Sequence, residues 1–136
     1  MKHLIQPNRW TCLPTSFAMV LDVPFDLLLQ DLGHDGSAII DSSKPEPYNR
    51  QGFAPEEFVR VCYKYGYWCV PVYDNVEWID FMLKTYTGVV CGELTPGCPH
   101  AMAWDRISLY DPKGFVYPLG RLKLFTEFWA VIRING

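Results

Sequence analysis

The sequence predicts an α+β domain, with helices first and a mostly antiparallel sheet second, on three observations. Apolar residues fall at helical spacing in the first half: Leu13, Phe17, Val20 and Leu21, then Phe58, Val61, Cys62 and Tyr65. After Gly66 the pattern changes to the alternation and β-rich runs of strands. The 136 residues, 49% hydrophobic and 15% aromatic, suffice for one domain, residues 1–136, with a substantial core.

Residues 1–11 read as irregular, with Pro7 and Asn8 favouring turns. A helix starts near Leu13, with Thr11 as N-cap and Pro14 in the first turn, where a missing N–H is tolerated. Asp22-Val23-Pro24 ends it. A second helix spans Phe25 to Leu32 and stops at Gly33. Residues 33–51, rich in Gly, Ser, Pro and charge, form a long surface loop. Within it, His34 and Asp35 read as turn chemistry, with Asp35-Gly36 making the turn. Ala54-Pro55-Glu56-Glu57 opens a third helix. Tyr67–Tyr73 is strand-like, Trp78–Leu83 a short helix, and Thr87–Leu94 a β run. His100–Trp104 and Ile107–Tyr110 form a hairpin turning at Asp105-Arg106; Phe115–Val116 continues the pairing and Phe128–Ile134 is the last strand.

A net charge of −3 without a lysine or arginine cluster leaves no electrostatic footprint for nucleic acid. The apolar runs fall short of the ~20 residues of a membrane span. The opening MKHLIQPNRWTC has no secretory pattern, so the expectation is a soluble, cytoplasmic protein. Five cysteines, Cys12, Cys62, Cys69, Cys91 and Cys98, are then expected as free thiols. No C-x-x-C pair occurs, so neither a metal site nor a cofactor is expected.

A cysteine nucleophile works as the thiolate, which a helix N-terminus and a nearby imidazolium both favour. Of the five, Cys12 lies where the irregular segment becomes a helix. Cys62 is mid-helix on an apolar face, Cys69 and Cys91 are in strands, and Cys98, in a Pro/Gly loop, is the rival. Among the three histidines, His100 starts a hairpin strand, a rigid mount for a base. A turn at Asp105-Arg106 makes Asp111 its direct cross-strand neighbour, at roughly 5 Å between Cβ atoms. The Cys12 N–H supplies one oxyanion donor and the side-chain amide of Gln6 a second. Trp10 and Trp104 flank this predicted site.

The run Gln6-x5-Cys12, followed by Pro14-Thr15-Ser16-Phe17-Ala18-Met19, resembles the papain-like cysteine peptidases. So do Pro99-His100-Ala101-Met102-Ala103-Trp104 and Leu109-Tyr110-Asp111-Pro112 far downstream. The chain is similar above all to the branch that processes bacteriocin leaders, and its Gly33-His34-Asp35-Gly36-Ser37 loop and Gly52-Phe53 to small papain-like proteins of bacteriophages. That resemblance implies a papain-like fold, N-terminal helices on the sheet, with Cys12 as nucleophile, His100 as base, Asp111 orienting it and Gln6 as oxyanion donor. It implies a peptide or protein substrate, in the host cytoplasm for a phage-encoded chain. The sequence departs from the branch in Trp10-Thr11 before the cysteine, in Leu13-Pro14 after it, and in the short hairpin.

The function expected is hydrolysis of a peptide or isopeptide amide. The same trio also serves acyl transfer to an amine, and a papain-like scaffold also serves as a non-catalytic binding or inhibitory module. The sequence names neither the substrate nor the oligomeric state.

Overall fold

A computed structural model of the chain describes residues 1–73, 76–95, 98–121 and 124–135, the side chains of residues 76, 94, 95, 98, 121, 124 and 125 excepted. Helix α1 (Cys12–Leu21) follows the irregular N-terminal segment and ends at Asp22, which takes the left-handed conformation at φ 55°. Its residues Leu13–Met19 and Leu21 are buried, as befits a helix apolar on nearly every side. Helix α2 (Phe25–Leu32) stops at Gly33, at φ 83°, the position only glycine takes without strain. Helix α3 (Glu57–Lys64) carries Phe58, Val61 and Cys62 on its inner face. Phe17 and Phe58 stack with ring centroids 4.2 Å apart, locking α1 to α3.

The sheet contains β1 (Tyr67–Tyr73), β2 (Gly88–Thr95), β3 (Cys98–Trp104), β4 (Leu109–Tyr110), β5 (Val116–Tyr117) and β6 (Leu124–Arg133), with α4 (Val76–Thr85) between β1 and β2. It is antiparallel throughout, in the order β1-β6-β2-β3-β4-β5, so the last long strand inserts between β1 and β2. The architecture is therefore mixed α+β. Strand alternation sends Val89, Ala101, Trp129 and Val131 into one core with α1, α2 and α3. Val90, Met102, Trp104, Phe128 and Ala130 pack on the other face with Ile79 and Leu83 of α4. Both faces of the central strands are thus covered.

One predicted register is corrected. The β3–β4 pairing is Ala103 to Tyr110 and Trp104 to Leu109, so four residues, Asp105 to Ser108, make the turn instead of two. Asp105 Oδ1 accepts the N–H groups of Ile107 and Ser108 at 2.9 and 2.8 Å, and Arg106 adopts φ 82°. Asp111 then lies one diagonal step from His100 rather than directly opposite. Diagonal neighbours remain within reach of long side chains.

Gly88, where α4 feeds back into the sheet, touches its neighbours closely. A Cβ there would stand 2.3 Å from the Trp129 carbonyl oxygen and 2.6 Å from the Phe128 ring. Gly88→Ala therefore forces β2 and β6 apart. The expected loss is about 1–3 kcal/mol, read as a lower urea midpoint at unchanged slope.

Candidate active site

Three elements converge at one end of the sheet. Cys12 is the first residue of α1 and is partly exposed. Its carbonyl accepts the Ser16 hydroxyl at 2.8 Å, which fixes the backbone that presents the sulfur. Thr11 occupies the N-cap position, but its hydroxyl does not cap: it turns back to Asn8 Oδ1 at 2.9 Å. The helix start thus carries no side-chain cap to compete with a ligand.

His100 comes from β3 and hydrogen-bonds with its Nε2 to Asp111 Oδ1 at 2.6 Å, the two side chains being 8% and 1% exposed. Cys12 and His100 line the same cleft, and the Cys12 side chain is the second neighbour that acts on the imidazole's charge. With Nε2 engaged by Asp111, Nδ1 is the nitrogen left for the sulfur. Asp111 is held from every side. Its Oδ1 also accepts the Lys113 N–H at 2.8 Å, its N–H bonds the Phe115 carbonyl at 2.8 Å, and its carbonyl accepts from Gly114 and from His3 Nε2, at 2.9 and 2.7 Å. His3 must carry its proton on Nε2 to make that bond. The Gln6 N–H bonds the Pro112 carbonyl at 2.8 Å, so the N-terminal segment is stitched to the turn that carries Asp111.

The electrostatics follow from this packing. Burial works to lower the His100 pKa, but the Asp111 carboxylate and the neighbouring Cys12 side chain prevail and push it up to about 9. Burial likewise opposes ionisation of Asp111, yet His100 and the Lys113 N–H hold its carboxyl below the usual range. Two other thiols resist ionisation. Cys62 is pushed up by its hydrogen bond with Cys69 and by burial, and Cys91 by burial and then by Glu127. The rival Cys98 has its side chain outside the described residues.

A cleft of about 320 Å³ opens at this point. Cys12, Leu13, Phe53, Pro55, Pro99, His100 and Ala101 line one part; Cys91, Gly92, Glu93, Thr126 and Glu127 line the rest. The Phe53 wall is braced from behind. His34 stacks on Phe53 at 4.7 Å, accepts the Gly36 N–H on Nδ1 at 3.1 Å and donates from Nε2 to Glu57 at 2.5 Å. His34 is therefore a support for the cleft wall, and Asp35 makes the expected turn by accepting from Ser37. A larger cavity of about 520 Å³ between the N-terminal segment and the α1–α2 corner contains no cysteine or histidine.

The remaining sequence-predicted residues fall less simply. Gln6 is half-buried and donates one amide N–H to the Asn8 carbonyl at 2.6 Å, while its Oε1 is buried without a partner; it is not among the residues lining the cleft. Trp10 does not line the cleft either. Its indole N–H bonds the Asp35 carbonyl at 3.0 Å under the Arg50 guanidinium, pinning the long loop. Trp104 lies in the α4 core, 4% exposed, and gives its N–H to the Leu83 carbonyl at 2.7 Å. Its expected place beside the cleft is thus corrected: it closes the core under α4. Glu93, Thr126 and Glu127 carried no recognisable motif and went unpredicted. Among the described residues no group of three His, Cys, Asp or Glu is arranged to hold a metal ion. Among the described residues no single helix is long and apolar enough to cross a membrane.

Comparison with known proteins returns nothing: no protein-family model, no curated protein and no solved structure matches this chain.

The buried pair makes stability pH-dependent. Because the His100 pKa is raised on folding, its contribution is complete below 6.5 and is lost as pH rises through about 9. Asp111, whose pKa is lowered, contributes above 3.8 and loses its share as pH falls below that. Asp111→Asn keeps the Oδ1 that organises the turn but removes the charge. The variant should lose about 2 kcal/mol between pH 4 and 6.5, and its deficit should shrink as pH climbs from 6.5 toward about 9, measured by urea unfolding across that range.

Proposed function

We propose that this protein is a thiol hydrolase that cleaves an amide bond through Cys12, His100 and Asp111. The observation that carries the reading is the buried His100–Asp111 bond of 2.6 Å, with Cys12 beside the same imidazole in one cleft. An aspartate on one nitrogen and a thiol on the other is the arrangement that makes imidazole a proton carrier for sulfur. A structural His–Asp pair has no need of a thiol at the start of an uncapped helix.

The chemistry follows in two halves. The thiol proton resides on His100, and the sulfur of Cys12 attacks the carbonyl carbon to give a tetrahedral oxyanion. The Cys12 N–H at the start of α1 faces that charge, with the helix dipole behind it. The amide N–H of Gln6 that Asn8 does not take is the second donor in this reading. His100 then passes its proton to the leaving amine, and the C–N bond breaks to leave a thioester on Cys12. Water attacks the thioester, giving its proton back to His100, and the acid is released. The raised His100 pKa keeps the imidazole protonated through neutrality, where the leaving amine requires a proton.

Brief treatment of native protein with iodoacetamide at mildly acidic pH, read by mass spectrometry, should place most of the label on Cys12. Equal labelling of the other four cysteines would sink the proposal. Release of p-nitrophenolate from p-nitrophenyl acetate should vanish in Cys12→Ser and fall by about 10²-fold in Gln6→Ala. Its alkaline limb should lie near pH 9 and move to lower pH in Asp111→Asn, because the charge that raises His100 is gone.

A further inference from the structure

The N-terminal segment runs along the turn that carries Asp111 and meets it at Tyr110, Asp111, Pro112 and Gly114. The His3 ring packs edge-on against the Tyr110 ring, with centroids 5.4 Å apart. Its Nε2 donates to the Asp111 carbonyl at 2.7 Å. The Gln6 N–H bonds the Pro112 carbonyl at 2.8 Å, and Ile5 Cδ1 lies 3.5 Å from where a Cβ on Gly114 would stand. Leu4 packs against the core shared by α1, α2 and α3, which anchors the segment. The Asp111 carbonyl therefore has two donors, His3 and the Gly114 N–H at 2.9 Å. The second belongs to the turn itself; the first comes from 108 residues away in sequence. The Asp111 N–H is fixed as well, on the Phe115 carbonyl at 2.8 Å. With the peptide planes on both sides of its Cα held, both soft main-chain torsions of Asp111 are set, and with them the direction in which its carboxylate leaves the chain.

We infer that His3 is a positioning residue of the thiol site: its bond to the Asp111 carbonyl aims the carboxylate that orients His100. This role rests on the thiol-hydrolase reading and deepens it, because it extends the machinery to the opening segment of the chain. Asp111 Oδ1 divides its bonds between His100 and the Lys113 N–H, at 2.6 and 2.8 Å, so a small rotation of the carboxylate trades one against the other. A displacement of about 1 Å at such a group costs on the order of 10²-fold in rate. Gly114 keeps the turn closed without His3, so the segment sets the aim of the side chain and not the existence of the turn. Cys12 of α1 and Cys91, Glu93 and Glu127 of β2 and β6 also face the cleft that His100 lines, and no substitution at His3 alters them.

His3→Leu keeps an apolar contact for Tyr110 but removes the donor, and His3→Gln returns an N–H donor at similar reach. Two readouts are taken on the full chain from neutral to alkaline pH. One is the rate of p-nitrophenyl acetate hydrolysis; the other is the His100 titration, followed by NMR on the carbon-bound protons of its ring. In His3→Leu the rate should fall about tenfold. Its alkaline limb and the His100 midpoint should both move below about 9, toward their values in Asp111→Asn. His3→Gln should recover most of both losses. Adding His3→Leu to Asp111→Asn should move the His100 midpoint no further, because the charge that His3 aims is already gone. A midpoint unmoved in His3→Leu, a shift that His3→Gln does not reverse, or one that adds in full to Asp111→Asn overturns the inference; a merely structural bond lowers the urea midpoint alone. Ester hydrolysis that survives Cys12→Ser overturns the hydrolase reading instead, while the NMR titration still reads the action of His3 on Asp111 by itself, so the two failures are told apart.

Discussion

Burying a histidine beside an aspartate removes both from water, a cost of several kcal/mol for each ion that only a complete set of partners offsets. The His100–Asp111 pair has that set, and much of the local architecture exists to supply it. Asp111 receives the imidazole and the Lys113 N–H on its carboxylate, and Gly114 and His3 on its carbonyl. Those bonds fix the turn after β4, and through Gln6 and Pro112 they fix the approach of the chain to α1. The same pair leaves the second imidazole nitrogen without Asp111, in the cleft that Cys12 also lines. Remove the aspartate's charge and the histidine loses both its orientation and the field that keeps it protonated. Stability and chemistry at this end of the sheet thus depend on one bond.

The sheet accounts for where that bond can be. Helices α1, α2 and α3 cover one face and α4 the other, so the interior of the sheet has no room for solvated polar groups. Ionisable side chains survive at its end, where the strands run out toward α1. The β2–β6 bulge falls at that same end, opposite Cys91, and the cleft opens there. Bulges bend a strand and re-aim its side chains, which is how a covered sheet acquires a usable edge.

Much of this was legible before any coordinates. The limits of α1 and α2 follow from punctuation that acts locally: Pro14 in a first turn, Pro24 and Gly33 at the ends. The pairing of His100 with Asp111 was also legible, although the register was not. The predicted two-residue turn overlooked the Asp105 carboxylate, which stabilises a longer loop by accepting two backbone N–H groups. A shift of two residues preserves side-chain facing, so Asp111 still met His100. Trp104 was misplaced for a different reason. Its nearness to His100 in sequence says nothing of α4, whose Leu83 carbonyl takes its N–H across the sheet. Glu127 was illegible because a bulge depends on how two distant strands pair, and neither strand announces it alone.

The spacing of Cys12, His100 and Asp111 along the chain sets when they can meet. Cys12 leaves the ribosome well before His100 and Asp111, and β6 must then insert between β1 and β2 before the sheet is whole. Until that closure Cys12 and the His100–Asp111 pair are not held together. Topology therefore keeps Cys12 apart from the buried His100–Asp111 pair until the sheet has closed around β2.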